Sequence, residues 1–290
     1  MSLKLKKILG VSITASSKEE ILEYLKKCLE NKGKTSAKSL IIVTPNPEQV
    51  VLAQKNFHFA EILNRADVAI PDGIGVVWAS RILNPIVHIS RMSGVEFMED
   101  LVKIAAERHV PIGLIGGRGG VAVEALECLE KKHSGLGGWA MDGPELEIKS
   151  FCHPAWRDPW SETVQPLMDS RFHGNDRVEL DQFINHLVDR IEKDHTRIIF
   201  VGLGAPKQEY FIDALARQFQ ISNFKFQIIL MAVGGAFDEI SGRLPMPPKF
   251  IDRYGLKWLW RLILEPWRWR RQVALLKFMW LVFIEKIRLL

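Results

Sequence analysis

The chain has 290 residues, 47% apolar and 25% charged, enough to bury a large core in one or two domains. Its formal charge of +5 is local: residues 243–290 hold eleven Lys or Arg against three acids, a balance of +8, which leaves −3 for residues 1–242. Cys28, Cys128 and Cys152 are odd in number, widely spaced and without a CxxC pair, which argues against a disulfide framework or a zinc site and for a reducing compartment. The first ten residues carry lysines but no apolar export core, and no stretch reaches the ~18 uninterrupted apolar residues of a spanning helix. The expected location is therefore the cytoplasm or the cytoplasmic face of a membrane.

In chain order, Ser17 with Glu20 makes a capping-box pattern, followed by Ile21, Leu22, Leu25 and Leu29 at helical spacing. Apolar runs at 40–43, 68–70, 112–115, 198–201 and 228–233 each lead into a loop rich in Gly, Pro or Asp, and most then enter an amphipathic segment. Repeated βα units of this kind predict an α/β fold, a mainly parallel sheet with helices on both faces. Ligands of such sheets sit outside the carboxyl ends of the strands, so these five loops are where chemistry is to be sought.

Thr44-Pro45-Asn46-Pro47-Glu48 follows the first run, two prolines holding an exposed hydroxyl and amide between them. Pro71-Asp72-Gly73-Ile74-Gly75 follows the second. On position alone, Asp72 serves equally well as a carboxylate at the mouth of the sheet or as the N-cap of the next helix. Gly116-Gly117-Arg118-Gly119-Gly120, after the third, invites a dinucleotide reading but lacks the G-x-G-x-x-G spacing and a following ribose-binding acid. After the fourth run, Gly202-Leu203-Gly204-Ala205-Pro206-Lys207-Gln208-Glu209 lets backbone approach a ligand and presents Lys207 and Gln208 at a helix start, where N–H groups favour anions. The fifth loop, Val233-Gly234-Gly235-Ala236-Phe237-Asp238, is another close-approach turn followed by an acid.

Residues 150–177 break the pattern with three prolines, two tryptophans and almost no periodicity; residues 168–176 resemble the translated product of a bacterial palindromic repeat element. They read as an inserted mobile surface segment in a core spanning 1–242. Residues 243–290 form the expected appendage: Pro266 ends one helix near Leu264 and starts another. Along that second helix Trp269, Val273, Leu276, Trp280, Phe283 and Ile287 recur at steps of three or four, with Leu275, Phe278, Met279 and Val282 widening the apolar surface. A helix so broadly apolar is either buried on both sides or laid in lipid. The basic residues interleaved with tryptophan suit an anionic membrane surface or a polyphosphate ligand; nucleic acid is disfavoured because no DNA- or RNA-reading motif is present.

Thr44-Pro45-Asn46, Pro71-Asp72-Gly73, Arg91-Met92-Ser93-Gly94, the segment 202–209 and the segment 233–238 leading to Gly242-Arg243 and Pro247 together resemble the WecG/TagA/CpsF family of bacterial glycosyltransferases. The resemblance covers essentially the whole chain outside the insertion, in matching order. It implies a Rossmann-like core with a C-terminal appendage working at the membrane. The implied reaction is inverting, metal-independent transfer of an N-acetylmannosamine-type sugar from a UDP donor to polyprenyl-diphosphate-linked N-acetylglucosamine, on the inner face of the cytoplasmic membrane. It makes Asp72 the leading candidate for the base that takes the acceptor proton. Thr44 and Asn46 would orient the acceptor hydroxyl or the sugar, unless they only shape their loop as ST and Asx turns. Gln208 would bond the sugar, with Gly202, Gly204, Gly234 and Asp238 around it. No D-x-D motif is present, and no cofactor is expected. The leaving diphosphate would then fall to Arg91, Arg261, Arg268 and Arg271, whose guanidinium groups bind phosphate bidentately. Two other readings are an NAD-dependent oxidoreductase using the 116–120 loop and a non-enzymatic membrane-binding module.

Overall fold

The computed structural model describes residues 3–30, 39–86, 89–144, 174–221, 226–246, 248, 257–266 and 269–289, the side chains of 174–179, 257, 270 and 271 excepted. The five apolar runs and one strand not foreseen make a single sheet: β3 (Leu40–Val43), β4 (Val68–Ala69), β5 (Ile112–Gly116), β6 (Gly138–Met141), β7 (Ile198–Gly202) and β8 (Ile229–Ala232). Its order is β4-β3-β8-β7-β5-β6 and every pairing is parallel.

Strand side chains alternate between two cores, as period-2 geometry requires. Leu40 and Ile42, Ile112 and Leu114, Ile198 and Phe200, and Ile229 and Met231 pack with α1 (Lys18–Glu30), α5 (Gly94–Glu107) and α6 (Val121–Lys132). The opposite face meets α2 (Pro47–Ala53), α3 (Phe57–Arg65) and α4 (Ile74–Leu83) at the β3 end, and α7 (Gly174–Lys193) and α8 (Lys207–Ile221) at the β7 end. The capping box at α1 is present: Ser17 N–H donates to Glu20 Oε2 at 2.9 Å and Glu20 N–H to Ser17 Oγ at 3.2 Å.

Sequence periodicity gave no warning of the N-terminal hairpin, β1 (Leu5–Ile8) with β2 (Val11–Thr14). Leu9 and Gly10, both at positive φ, make its two-residue turn. Ile8, Val11 and Ile13 are fully buried against the α2–α4 side, and Thr14 Oγ1 accepts the Ala69 N–H at 2.9 Å.

The chain runs outward from β3 to β4, crosses to β5 and β6, and returns to fill the middle with β7 and β8. Loops from both halves therefore meet above β3, β8 and β7, the reversal point at which open α/β sheets bind ligands. Residues 145–173, most of the expected insertion, lie outside the described residues. Its last four residues, 174–177, are helical and belong to α7.

The C-terminal segment forms α10 (Lys257–Leu264) and α11 (Trp269–Arg288), with Pro266 between them as expected. The choice left open for α11 is resolved as one side buried and one side exposed. Ala274, Phe278 and Val282 are buried, the last two in the same core as the hairpin, α2, α3 and α4. Trp269, Leu276, Trp280, Phe283 and Ile287 stand on the opposite side, exposed, with Trp280 and Phe283 stacked at 6.2 Å. Among the described residues no helix is long and apolar enough to cross a membrane.

Candidate active site

The site is assembled by main-chain bonds between strand-end loops. Ile70 N–H donates to Val43 O at 2.8 Å, Asp72 N–H to Pro45 O at 3.2 Å, and Met92 N–H to Pro71 O at 3.2 Å. These ties bring Thr44, Asp72 and Arg91 into one wall. Helix α4 is capped by Gly73, at φ 87°, without a side-chain capping bond, so Asp72 is not the N-cap that its position allowed. Asp72 lines a cavity of about 480 Å³, within the ~300–1,000 Å³ typical of small-molecule sites.

Thr44, Asn46, Asp72, Arg91, Gly202, Gly204, Gln208, Gly234, Asp238 and Arg261 all line this cavity. Arg268 and the side chain of Arg271 lie outside the described residues. The starts of α2, α4, α5, α8 and of α9 (Ala236–Ile240) converge on the same space, through Asn46 and Pro47, Gly73 and Ile74, Ser93 and Gly94, Gly204 and Gln208, and Gly235 and Ala236. Helix N-termini carry partial positive charge, and Arg91 and Arg261 add full charges, so the cavity suits an anion. Glu48, Asp72, Asp238 and Glu239 supply carboxylates.

Several expected residues have structural work that the sequence did not disclose. Asn46 is the N-cap of α2: its Oδ1 accepts Gln49 N–H at 3.0 Å while Gln49 Oε1 accepts Asn46 N–H at 3.1 Å. The N-x-x-Q pattern was the overlooked signal for this box. Gly202 is a glycine for packing reasons as well, since a Cβ there would stand 2.7 Å from the Phe237 ring, whereas Gly204 and Gly234 have positive φ and open space around them. Gln208 is almost fully buried, its Oε1 accepting Gly234 N–H at 2.9 Å and its Nε2 donating to Glu209 Oε1 at 2.8 Å.

In the sequence Glu209 is one acid of the loop after β7. It is fully buried, and Gln49 Nε2 also donates to its Oε1, at 2.7 Å. Burial pushes its carboxyl from the ordinary 4.5 up to about 7, outweighing the hydrogen bonds from Gln208, its own backbone and Gln49 that favour the anion.

The tail closes the cavity with Trp258 and Arg261 from α10 and Gln272 and Leu275 from α11. Arg261 lies between Glu239, whose Oε1 is 3.7 Å from Nη1, and Glu265, whose Oε2 is 3.6 Å from Nε. Its guanidinium covers Gly235 so closely that a Cβ there would be 3.0 Å from Nη2.

The glycine-rich loop 116–120 is absent from the cavity lining. Arg243 Nε and Nη2 pair with the two Glu124 oxygens at 2.6 Å each, and Nη1 and Nη2 donate to the carbonyls of Arg118 at 3.2 Å and Gly119 at 2.6 Å. The oxidoreductase alternative is not favoured: the loop it needed is held by the protein's own arginine and does not line this cavity.

The profile of the "Glycosyl transferase WecG/TagA/CpsF family" matches residues 6–290, nearly the whole chain. The chain belongs to this family of glycosyltransferases. Among curated relatives, an N-acetylglucosaminyldiphosphoundecaprenol N-acetyl-beta-D-mannosaminyltransferase of Bacillus spizizenii is 28% identical over 241 residues, covering 83% of this chain and 77% of the relative. A Staphylococcus aureus protein of the same name is 28% identical over 265 residues, covering 91% and 85%. The protein is therefore an enzyme, and the membrane-binding module without catalysis is set aside. Within the WecG/TagA/CpsF frame, the convergence of Thr44, Asp72 and Arg91 with Gln208 and Arg261 assigns its motif residues to one cavity.

Proposed function

We propose that this glycosyltransferase moves an N-acetylmannosamine-type sugar from UDP to N-acetylglucosamine carried on a polyprenyl diphosphate, with inversion and without a metal. The observation that carries the reading is the cavity itself, which gathers Asp72, Arg91, Arg261 and the starts of five helices. The acceptor hydroxyl holds its proton far too tightly to attack unaided. Asp72 takes that proton as the acceptor oxygen bonds to the anomeric carbon. The bond from that carbon to the β-phosphate oxygen breaks, and its electron pair leaves with UDP. Arg91, Arg261 and the helix N-termini meet the growing negative charge. Thr44, which lines the same cavity, orients the hydroxyl.

The exposed face of α11, with Leu259 and Ile263 exposed on α10 and Arg288 near its end, suits the surface of an anionic membrane. An acceptor anchored there by its lipid would reach the cavity from the side that Trp258 and Leu275 close.

Asp72→Asn tests the base assignment. UDP release in the presence of a short-chain polyprenyl-diphospho-N-acetylglucosamine should fall by about 10²–10⁴ while UDP still binds. Acceptor-dependent turnover at the wild-type rate would overturn the assignment, and loss of wild-type turnover in EDTA would overturn metal independence.

A further inference from the structure

We propose that Glu209 is a positioning residue, the buried acceptor that joins the loops after β3, β7 and β8 and so sets where Asn46 and Gln208 stand in the cavity. The activity part of this inference rests on the transferase reading; the structural part does not.

The geometry leaves little choice at position 209. Gly234 N–H needs an acceptor and finds Gln208 Oε1, which turns Gln208 Nε2 the other way. Asn46 N–H finds Gln49 Oε1, which turns Gln49 Nε2 away from the α2 cap. Both outward ends are donors, and they meet at one atom, Glu209 Oε1, at 2.8 and 2.7 Å. Position 209 must therefore supply an acceptor. An apolar residue there would strand two buried amide groups, each then driven to rotate and release its main-chain partner.

The chain of bonds runs from the Asn46 main chain through Gln49, Glu209 and Gln208 to the Gly234 main chain, and it spans adjacent strand ends β3, β8 and β7. Asn46, Gln49, Gln208 and Gly234 line the cavity, whereas Glu209 stands behind them. Its second oxygen, Oε2, is buried without a hydrogen-bond partner, so the joint uses one oxygen only and does not need a charge. A glutamine at 209 would keep the acceptor; an alanine would not.

The test compares Glu209→Ala with Glu209→Gln by hydrogen exchange and by kinetics. In Glu209→Ala the Asn46 and Gly234 amides should exchange about tenfold faster, the loss expected from one ordinary hydrogen bond each, while the amides of β3 and β7 keep their protection. Glu209→Gln should restore slow exchange at both positions. Unchanged Asn46 and Gly234 exchange in Glu209→Ala refutes the joint, whether or not the reaction is the one proposed. In acceptor-dependent UDP release, Glu209→Ala should raise KM for the sugar donor and lower kcat, together about tenfold or more in kcat/KM, with recovery in Glu209→Gln. A drop confined to the amount of folded enzyme, with KM unchanged, or a Glu209→Gln variant as impaired as Glu209→Ala, overturns the positioning role.

Discussion

The Glu209→Gln variant also makes a thermodynamic prediction whose size follows from the structure. The Glu209 carboxyl is fully buried and its protonation midpoint lies near 7 in the folded chain, against an ordinary 4.5. A folded-state value above the unfolded one means that between these two pH values the native chain holds a proton that the unfolded chain has released. Stability then falls with rising pH across that window. The contribution is fully present below about 4.5 and is lost once the pH passes about 7. At about 1.4 kcal/mol per pH unit, the interval amounts to about 3 kcal/mol. Glutamine at 209 has no proton to lose. Apart from a constant for packing, the difference between variant and wild type should grow in the variant's favour by about 3 kcal/mol from pH 4.5 to 8. Urea denaturation of both proteins at half-unit pH intervals measures this directly, because other titrating groups cancel in the difference. A flat difference would refute the argument, and so would one that grows in favour of wild type, which would mean that Glu209 is a stabilised anion.

Three further changes probe other contacts. Gly235→Ala keeps an allowed backbone at φ −89°, but its Cβ presses the end of the Arg261 side chain at 3.0 Å, so UDP affinity and turnover should fall about tenfold with little change in melting temperature. Wild-type UDP affinity in this variant would remove Arg261 from the leaving-group role. Gly75→Ala places a Cβ 2.7 Å from Pro47 and 3.4 Å from Leu275, where α4 meets the start of α2 and α11; overpacking there should cost about 1–3 kcal/mol in urea denaturation. The double change Trp280→Ser with Phe283→Ser removes outward-facing rings, so binding to anionic vesicles should drop severalfold while the melting temperature holds. Vesicle binding equal to wild type would return this face to simple solvent exposure.

Much of the fold was legible because it depends on local rules. Apolar runs ending in Gly, Pro or Asp mark strands that feed helices, and Ser17 with Glu20 marks a helix start; no distant contact is needed to read either. The motif residues were legible one loop at a time for the same reason, and Pro266 announced the corner between α10 and α11. The strands of the β1–β2 hairpin and β6 were not, since LKKI, VSIT and GWAM hold no long apolar run and gain their place by pairing and burial. Position alone left Asp72 undecided between cap and carboxylate, and it took the φ of Gly73 to separate the two. Glu209 shows the limit most clearly. In sequence it is one acid beside Lys207 and Gln208, indistinguishable from a solvated helix start. Only the packing of α8 against the loops after β3 and β8 removes water from it, points two amide donors at one oxygen and lifts its midpoint to about 7. The sequence by itself determined where the strand-end loops fall, because strand ends and turn residues are written locally. Tertiary structure alone decided which of their polar residues line the cavity and which hold the loops, because desolvation and partner geometry come from residues as far apart as Gln49 and Glu209.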